Sequence, residues 1–249
     1  MHEPIQAKEE TIEKYRQKAR EMGILDQDPA REIGINPYDP EGKDPILHRV
    51  LQNDPRYAAM IEHLDENIGR IFDTLKTTGQ WDNTIIVFTS DNGGLATGMR
   101  GVCGPTSCLP FSTGKGWMYE GGTRVSTLVR WPGVTQPGSE CHVPVTSPDF
   151  YPTILDMIGA DPLPAQHTDG VSLVPLLTGE GPLQREAIFW HYPHYGNHGG
   201  RPGCSVRAGD HKLIQFCEDM HVELYNVRSD PGEEQDLAEK MPDLRDSLL

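Results

Sequence analysis

Thr84-Ile85-Ile86-Val87-Phe88-Thr89-Ser90-Asp91-Asn92-Gly93-Gly94 is the stretch from which the fold can be read. Its first six residues form a short, β-branched, almost wholly apolar run, the pattern of a strand buried on both faces of a parallel sheet. The segment before it has helical period. Asp54-Pro55 sets an N-cap carboxylate ahead of a proline at the first helical position, and Met60, Ile61, Leu64, Ile68, Ile71, Phe72 and Leu75 then share one stripe up to Gly79. A helix leading into a buried strand predicts an α/β layered fold. In such sheets ligands bind beyond the carboxyl ends of the strands, where Ser90-Asp91-Asn92-Gly93-Gly94 falls.

Working outward, Ala7 to Met22 is a charged surface helix stopped by Gly23. Residues 24 to 54, rich in Asp, Pro and Gly, read as a long loop. After the glycine-rich stretch 90 to 124, Val125 to Trp131 restores a strand closed by Pro132-Gly133, and Ser147-Pro148 to Ile158 is a helix. The tail changes character: Ser205 to Phe216 and Val222 to Val227 read as an antiparallel pair, with a helix inside Asp236 to Leu249. The expected division is a larger α/β part over 1–184 and a small α+β subdomain over 185–249.

The net charge of −15 argues against a general nucleic-acid or anionic-membrane surface, since no broad basic field exists to attract a polyanion. An anionic ligand must therefore meet local positive charge. Mean hydropathy is −0.52, and apolar runs such as Ile85 to Phe88 are too short to span a bilayer. Met1-His2-Glu3-Pro4 carries no signal-peptide pattern. The five cysteines, Cys103, Cys108, Cys141, Cys204 and Cys217, have no metal-ligand spacing. Cys103 with Cys108, or Cys204 with Cys217, could bridge in an oxidising compartment, and free thiols are as ordinary a reading.

Several segments could carry chemistry. The side-chain oxygens of Asp91 and Asn92 are hard donors suited to calcium or magnesium, and the following glycines let the backbone turn beside an ion; taken alone, the same residues also make a plain turn. Gly114-Lys115-Gly116-Trp117-Met118-Tyr119-Glu120-Gly121-Gly122-Thr123-Arg124 holds a lysine among glycines, either presented to an anion or solvated on a flexible loop. Trp190-His191-Tyr192-Pro193-His194-Tyr195, followed by Asn197, His198 and Arg201, gathers aromatic faces, imidazoles and a guanidinium. It could face a carbohydrate, with His191, His194 and Arg201 as polar contacts, or pack the two parts together. His2, near the terminus, is unremarkable by itself.

In order along the chain, these segments resemble the sulfatase family of the alkaline-phosphatase-like superfamily. The resemblance rests on His2-Glu3-Pro4-Ile5-Gln6-Ala7, Leu64 to Gly69, Thr89 to Gly93, Gly114-Lys115-Gly116 with Tyr119-Glu120-Gly121-Gly122, and Trp131-Pro132-Gly133. It continues through Asp149-Phe150-Tyr151-Pro152-Thr153, Asp169 to Leu173, Glu223-Leu224-Tyr225 and Asp230 to Glu233, so it covers nearly the whole chain. It implies an alkaline-phosphatase-like α/β fold truncated at its N-terminus, and hydrolysis of a sulfate ester on a small molecule or glycan. It further implies calcium held in part by Asp91 and Asn92, with magnesium the lesser fit, Lys115 on the sulfate, and His2 on the sulfate or the leaving group. Relatives of this kind are often periplasmic or secreted.

One departure matters. The family's formylglycine nucleophile is made from a Cys/Ser-x-Pro-x-Arg motif, and this chain has none; Cys108-Leu109-Pro110-Phe111-Ser112 imitates its start but ends in Ser and lies in a loop after the metal pair. Where relatives have an acidic residue and Pro after the counterpart of Arg124, this chain has Val125-Ser126. These 249 residues alone are expected not to turn over substrate. Two further readings stay open: phosphate or phosphonate monoester hydrolysis on the same metal cradle, and a non-catalytic binder of sulfated glycans.

Overall fold

A computed structural model describes residues 4–166 and 169–249. Helices α1 (Glu9–Glu21) and α2 (Pro55–Thr77) pack side by side, with Ile12 and Ala19 buried on the first, Ala59 and Met60 on the second, and Lys14 Nζ 2.6 Å from Glu62 across them. The α2 start follows its sequence signal, since Asp54 Oδ1 accepts from the amides of Arg56 at 2.9 Å and Tyr57 at 3.3 Å. The apolar stripe is buried only near this end; Ile61 and Ile71 are exposed.

The decisive strand is present as β3 (Ile86–Thr89), but its neighbour and its burial differ from expectation. It pairs antiparallel with β5 (Thr127–Arg130), and Val87, Phe88 and Leu128 are exposed. An apolar, β-branched run specifies a strand, yet it does not set the direction of the partner. Here the glycine-rich excursion of 90–126 returns the chain alongside β3 in the opposite sense.

Residues 24 to 54 are not a structureless loop. Strands β1 (Ala30–Ile35) and β2 (Pro45–Arg49) pair antiparallel, and β2 also takes the short β4 (Thr97–Gly98). A register shift between Glu32 and Gly34 breaks the alternation that would have marked the first strand. The Asp and Pro residues belong to the turn between the strands, where Asp39 Oδ2 accepts from the amides of Lys43 (2.5 Å) and Asp44 (2.8 Å), which together with the Glu41 amide hold its carboxyl below the usual range.

The C-terminal sheet has the order β6-β7-β8-β9, all antiparallel: β6 (Ala187–Tyr192), β7 (Gly203–Ala208), β8 (His211–Phe216) and β9 (Val222–Asn226). The single strand expected over 205–216 is a hairpin turning at Gly209, whose φ of 56° lies in the left-handed region. The aromatic segment Trp190–Tyr195 starts inside β6. Period-two alternation sorts the sheet's two faces. Leu213 and Leu224 join Val206 and Ala238 beneath α6 (Pro242–Leu248), while Ile214, Phe216, Tyr225 and Val227 enclose Met118 from the glycine-rich segment. All five cysteines are free thiols.

Asp149 locks α4 (Phe150–Met157) to the chain around Val171 and Arg185. This carboxylate, wholly buried, accepts from the Thr146 amide (2.8 Å), the Val171 amide (3.0 Å) and Arg185 Nη1 (2.6 Å). A side chain at Gly170 would strike the Pro148 carbonyl. Replacing Asp149 with Ala strands Arg185 and two amides, and breaking a buried pair of this kind costs about 3 kcal/mol. Urea unfolding of Asp149→Ala should show a loss of that size, whereas a loss below about 1 kcal/mol would show that the anchor is dispensable.

Candidate active site

Two glycine-rich segments build the site. After β3, the Ser90 hydroxyl donates to the Asn92 carbonyl (2.9 Å) and Asn92 Nδ2 to the Gly93 carbonyl (2.9 Å), so Oδ1 remains as the amide's acceptor. Asp91 is exposed and Asn92 half-buried. The Gly93 amide donates to the Gly122 carbonyl at 2.9 Å and the Lys115 amide to the Gly94 carbonyl at 2.8 Å. These backbones approach so closely that a Cβ on Gly93 would collide with the Gly121 carbonyl, and one on Gly114 would lie 2.5 Å from the Gly94 carbonyl. Glycine is therefore required where the metal-pair loop meets the lysine segment. The backbones that carry Asp91, Asn92 and Lys115 thus meet along one rim.

The lysine segment is braced from both sides. Thr113, buried and at φ 57°, offers its carbonyl to His48 of β2, a buried imidazole held below its usual pKa first by burial and then by Arg31; its Nε2 has no hydrogen-bond partner. On the other side α3 (Glu120–Thr123) is seized by the C-terminal sheet. The Glu120 carboxylate, buried, lies 3.1 Å from Lys212 Nζ, 3.3 Å from Arg207 Nη1 and 2.5 Å from Arg124 Nη2. The Glu120 amide donates to Glu233 Oε2 at 2.7 Å, and Lys212 Nζ sits 3.5 Å from Glu233 Oε1, an ion pair without an aligned hydrogen bond. Tyr119 and Tyr225 both donate to Glu223 (2.7 and 3.0 Å), and burial keeps both phenols protonated well above their usual range.

Sequence reasoning missed His48, Lys212 and Glu233. His48 and Lys212 are polar residues inside apolar strands and Glu233 sits in a turn, and only the folded structure shows which charge lies opposite.

His2 lies outside the described residues. His191, exposed on β6, has Nδ1 2.9 Å from Cys204 Sγ; His194 is exposed with its ring edge-on to Tyr192 at 5.6 Å; Arg201 pairs with Glu218 at 3.2 Å. None of these contacts joins Lys115. Among the described residues, no group of three or more His, Cys, Asp or Glu side chains could hold a metal ion. The carboxylate of Asp91 and the Oδ1 of Asn92 are hard oxygen donors, of the kind that calcium and magnesium take. Two clefts, of about 640 and 610 Å³, are lined by other residues than Asp91, Asn92 and Lys115.

Comparison with known proteins gives consistent findings. The sulfatase family model matches residues 1–160, and the model described as N-sulphoglucosamine sulphohydrolase, C-terminal, matches residues 112–246. An N-acetylglucosamine-6-O-sulfatase of Bacteroides thetaiotaomicron is 34% identical over 206 residues, covering 78% of this chain and 34% of its own. The crystal structure of Ps i-CgsB in complex with k-i-k-neocarrahexaose superimposes with a TM-score of 0.73 at 26% identity, over 99% of this chain and 46% of that one. A phosphonate monoester hydrolase from Silicibacter pomeroyi superimposes with a TM-score of 0.58 at 28% identity, over 78% of this chain and 38% of that one. The likeness extends to the alkaline-phosphatase-like α/β fold. The chain spans about a third to a half of the length of the first curated relatives.

Burial pushes the Glu233 carboxyl up to about 7, against the opposing pull of Lys212 and the Glu120 amide. Because the folded chain holds this proton more tightly than the unfolded one, the stability it contributes is full below about pH 4.5 and is lost as pH rises through 7. Glu233→Gln should therefore reduce the fall in stability between pH 5 and pH 8 by on the order of 2 kcal/mol. Urea midpoints at the two pH values measure this, and an unchanged fall would assign the titration to another group.

Proposed function

We propose that this chain, which belongs to the sulfatase family, forms the metal-pair and lysine side of the active site of a sulfuric ester hydrolase acting on a sulfated carbohydrate. The observation that supports the reading is the pair of main-chain bonds, Gly93 to Gly122 and Lys115 to Gly94, that joins the segments carrying Asp91-Asn92 and Lys115. A carboxylate oxygen, an amide oxygen and an ammonium there can hold a divalent cation and an anion side by side. The kinship to an N-acetylglucosamine-6-O-sulfatase, and to a structure holding a neocarrahexaose, supports a sugar as the alcohol portion.

Asp91 and Asn92 would supply oxygen ligands to calcium, with magnesium a poorer fit to an open loop; such an ion neutralises charge on the sulfuryl oxygens. Lys115 does its own part. Its ammonium would bind a sulfate oxygen as a point charge and stabilise the negative charge that grows on the bridging oxygen as the sulfur–oxygen bond breaks. The glycines on both sides bring the backbone to the rim without side-chain obstruction. We assign His2 to the sulfate or the departing sugar oxygen, and a formylglycine on polypeptide beyond these 249 residues as nucleophile, so the chain alone is expected to bind without turning over.

A second reading has its own support. The Silicibacter pomeroyi likeness favours phosphonate or phosphate monoesters on the same rim, since tetrahedral oxyanions of phosphorus and sulfur meet the same cation and lysine. Competition between sulfated and phosphorylated sugars for the chain separates the two.

Calcium titration by calorimetry tests the metal assignment. Asp91→Ala should weaken calcium binding at least about tenfold, the loss of one charged ligand, while leaving the far-ultraviolet dichroism unchanged because Asp91 is exposed. Equal affinity in the two proteins sinks the assignment.

A further inference from the structure

A cleft of about 610 Å³ lies between the C-terminal sheet and the stretches 123–127 and 141–145, and Arg124, Arg207 and Arg228 all line it. So do Val143 and Val145, together with half-buried Trp190 from the aromatic stretch that starts inside β6.

Positive charge predominates here, although the chain as a whole carries −15. Arg228 is offset by Asp210 at 3.6 Å, but Arg124, Arg207 and Lys212 share the single carboxylate of Glu120. Glu233, 3.5 Å from Lys212, adds only part of a charge at neutral pH, because burial pushes its carboxyl up to about 7. Burial, with Arg124 adding to it, holds the Arg207 guanidinium below its usual range despite the pull of Glu120. Buried cations in excess of their counter-charge are costly, and an added anion would offset that cost.

The guanidiniums are equipped to receive one. Arg207 places Nε on the Gly209 carbonyl and Nη1 on Glu120, both at 3.3 Å, and Arg124 places Nη2 on Glu120 at 2.5 Å and on the Val227 carbonyl at 3.4 Å. A guanidinium carries five N–H donors, more than these contacts use. The Phe111 ring, with its centroid 4.8 Å from the Arg124 guanidinium carbon, steadies the second of them. Forked donors match a carboxylate or sulfate, while an indole ring and two valines suit the body of the molecule that bears it.

We propose that this cleft binds an acidic sugar, with its carboxylate or sulfate on Arg124 and Arg207 and its ring against Trp190. The choice of a sugar rests on the reading of the chain as acting on a sulfated carbohydrate; the choice of an anion rests on the charges in the cleft.

The test uses the full 249-residue chain carrying Lys115→Ala, without calcium, so that the outcome is independent of the Lys115 rim. Calorimetry follows glucuronate, glucose 6-sulfate, inorganic sulfate and uncharged glucose. At least one acidic sugar should bind at least about tenfold more tightly than glucose and than inorganic sulfate. Val143→Glu sets a carboxylate in the cleft at an exposed position, so it should weaken that sugar about tenfold and leave the urea midpoint unchanged. Arg124→Gln should weaken it by a similar factor. Binding of glucuronate alone assigns a carboxylate, binding of glucose 6-sulfate alone assigns a sulfate, and either bears the proposal out. Glucose or inorganic sulfate bound as tightly as the acidic sugars, no binding of either acidic sugar, or indifference to either substitution overturns it. The calcium titration of Asp91→Ala reports separately on the rim.

Discussion

Glu120 is the constraint on which the geometry of the rim depends. One buried carboxylate receives Lys212, Arg207 and Arg124, and the amide of the same residue is held by Glu233. Burying charges is costly in itself, and an apolar replacement of equal volume could be as stable. What an apolar contact lacks is direction. The carboxylate and amide of Glu120 fix both the position and the rotation of the short turn α3, and its next two residues, Gly121 and Gly122, are the ones that touch the metal-pair loop. The C-terminal sheet thereby sets where Asp91 and Asn92 stand, although it contributes neither.

The sheet can do this because its two faces have separate tasks. Leu213 and Leu224 point into the cluster beneath α6, which anchors the sheet to itself. Lys212, Ile214 and Phe216, one residue out of phase with Leu213, meet Glu120 and Met118. A one-residue slip in the pairing of β8 would exchange these sets, burying Lys212 among leucines and withdrawing the charge from Glu120. Register in the C-terminal sheet and geometry at the rim are one problem.

How much of this the sequence reveals depends on the range of the interaction. Local signals survive: Asp54-Pro55 begins α2, Gly23 ends α1, and Ser147-Pro148 opens the helical turn that runs into α4. The motif Asp91-Asn92-Gly93-Gly94 is legible as a strand-end loop because its glycines answer a steric demand that is visible in composition. What fails is long-range. The apolar run of β3 does not reveal its antiparallel partner β5. The bulge in β1 erases the alternation that would have marked it, and β6 is obscured by the functional look of its aromatic residues. Glu233, a surface residue by composition, sits at φ 54° in a turn and points its charge at a lysine 21 positions earlier in the chain. No periodicity encodes that.

The same distinction bears on specificity. Asp91, Asn92 and Lys115 lie on glycine-rich segments whose backbones interlock, so their arrangement tolerates little change: a single Cβ at Gly93, Gly114 or Gly121 meets main-chain oxygen. The loop that carries His198 is tied to this rigid part through the carbonyl of that residue. The lysine segment is therefore fixed by main-chain sterics, and the loop beside it is held to it through one carbonyl, so replacing the side chain at 198 keeps the bonds that hold the loop.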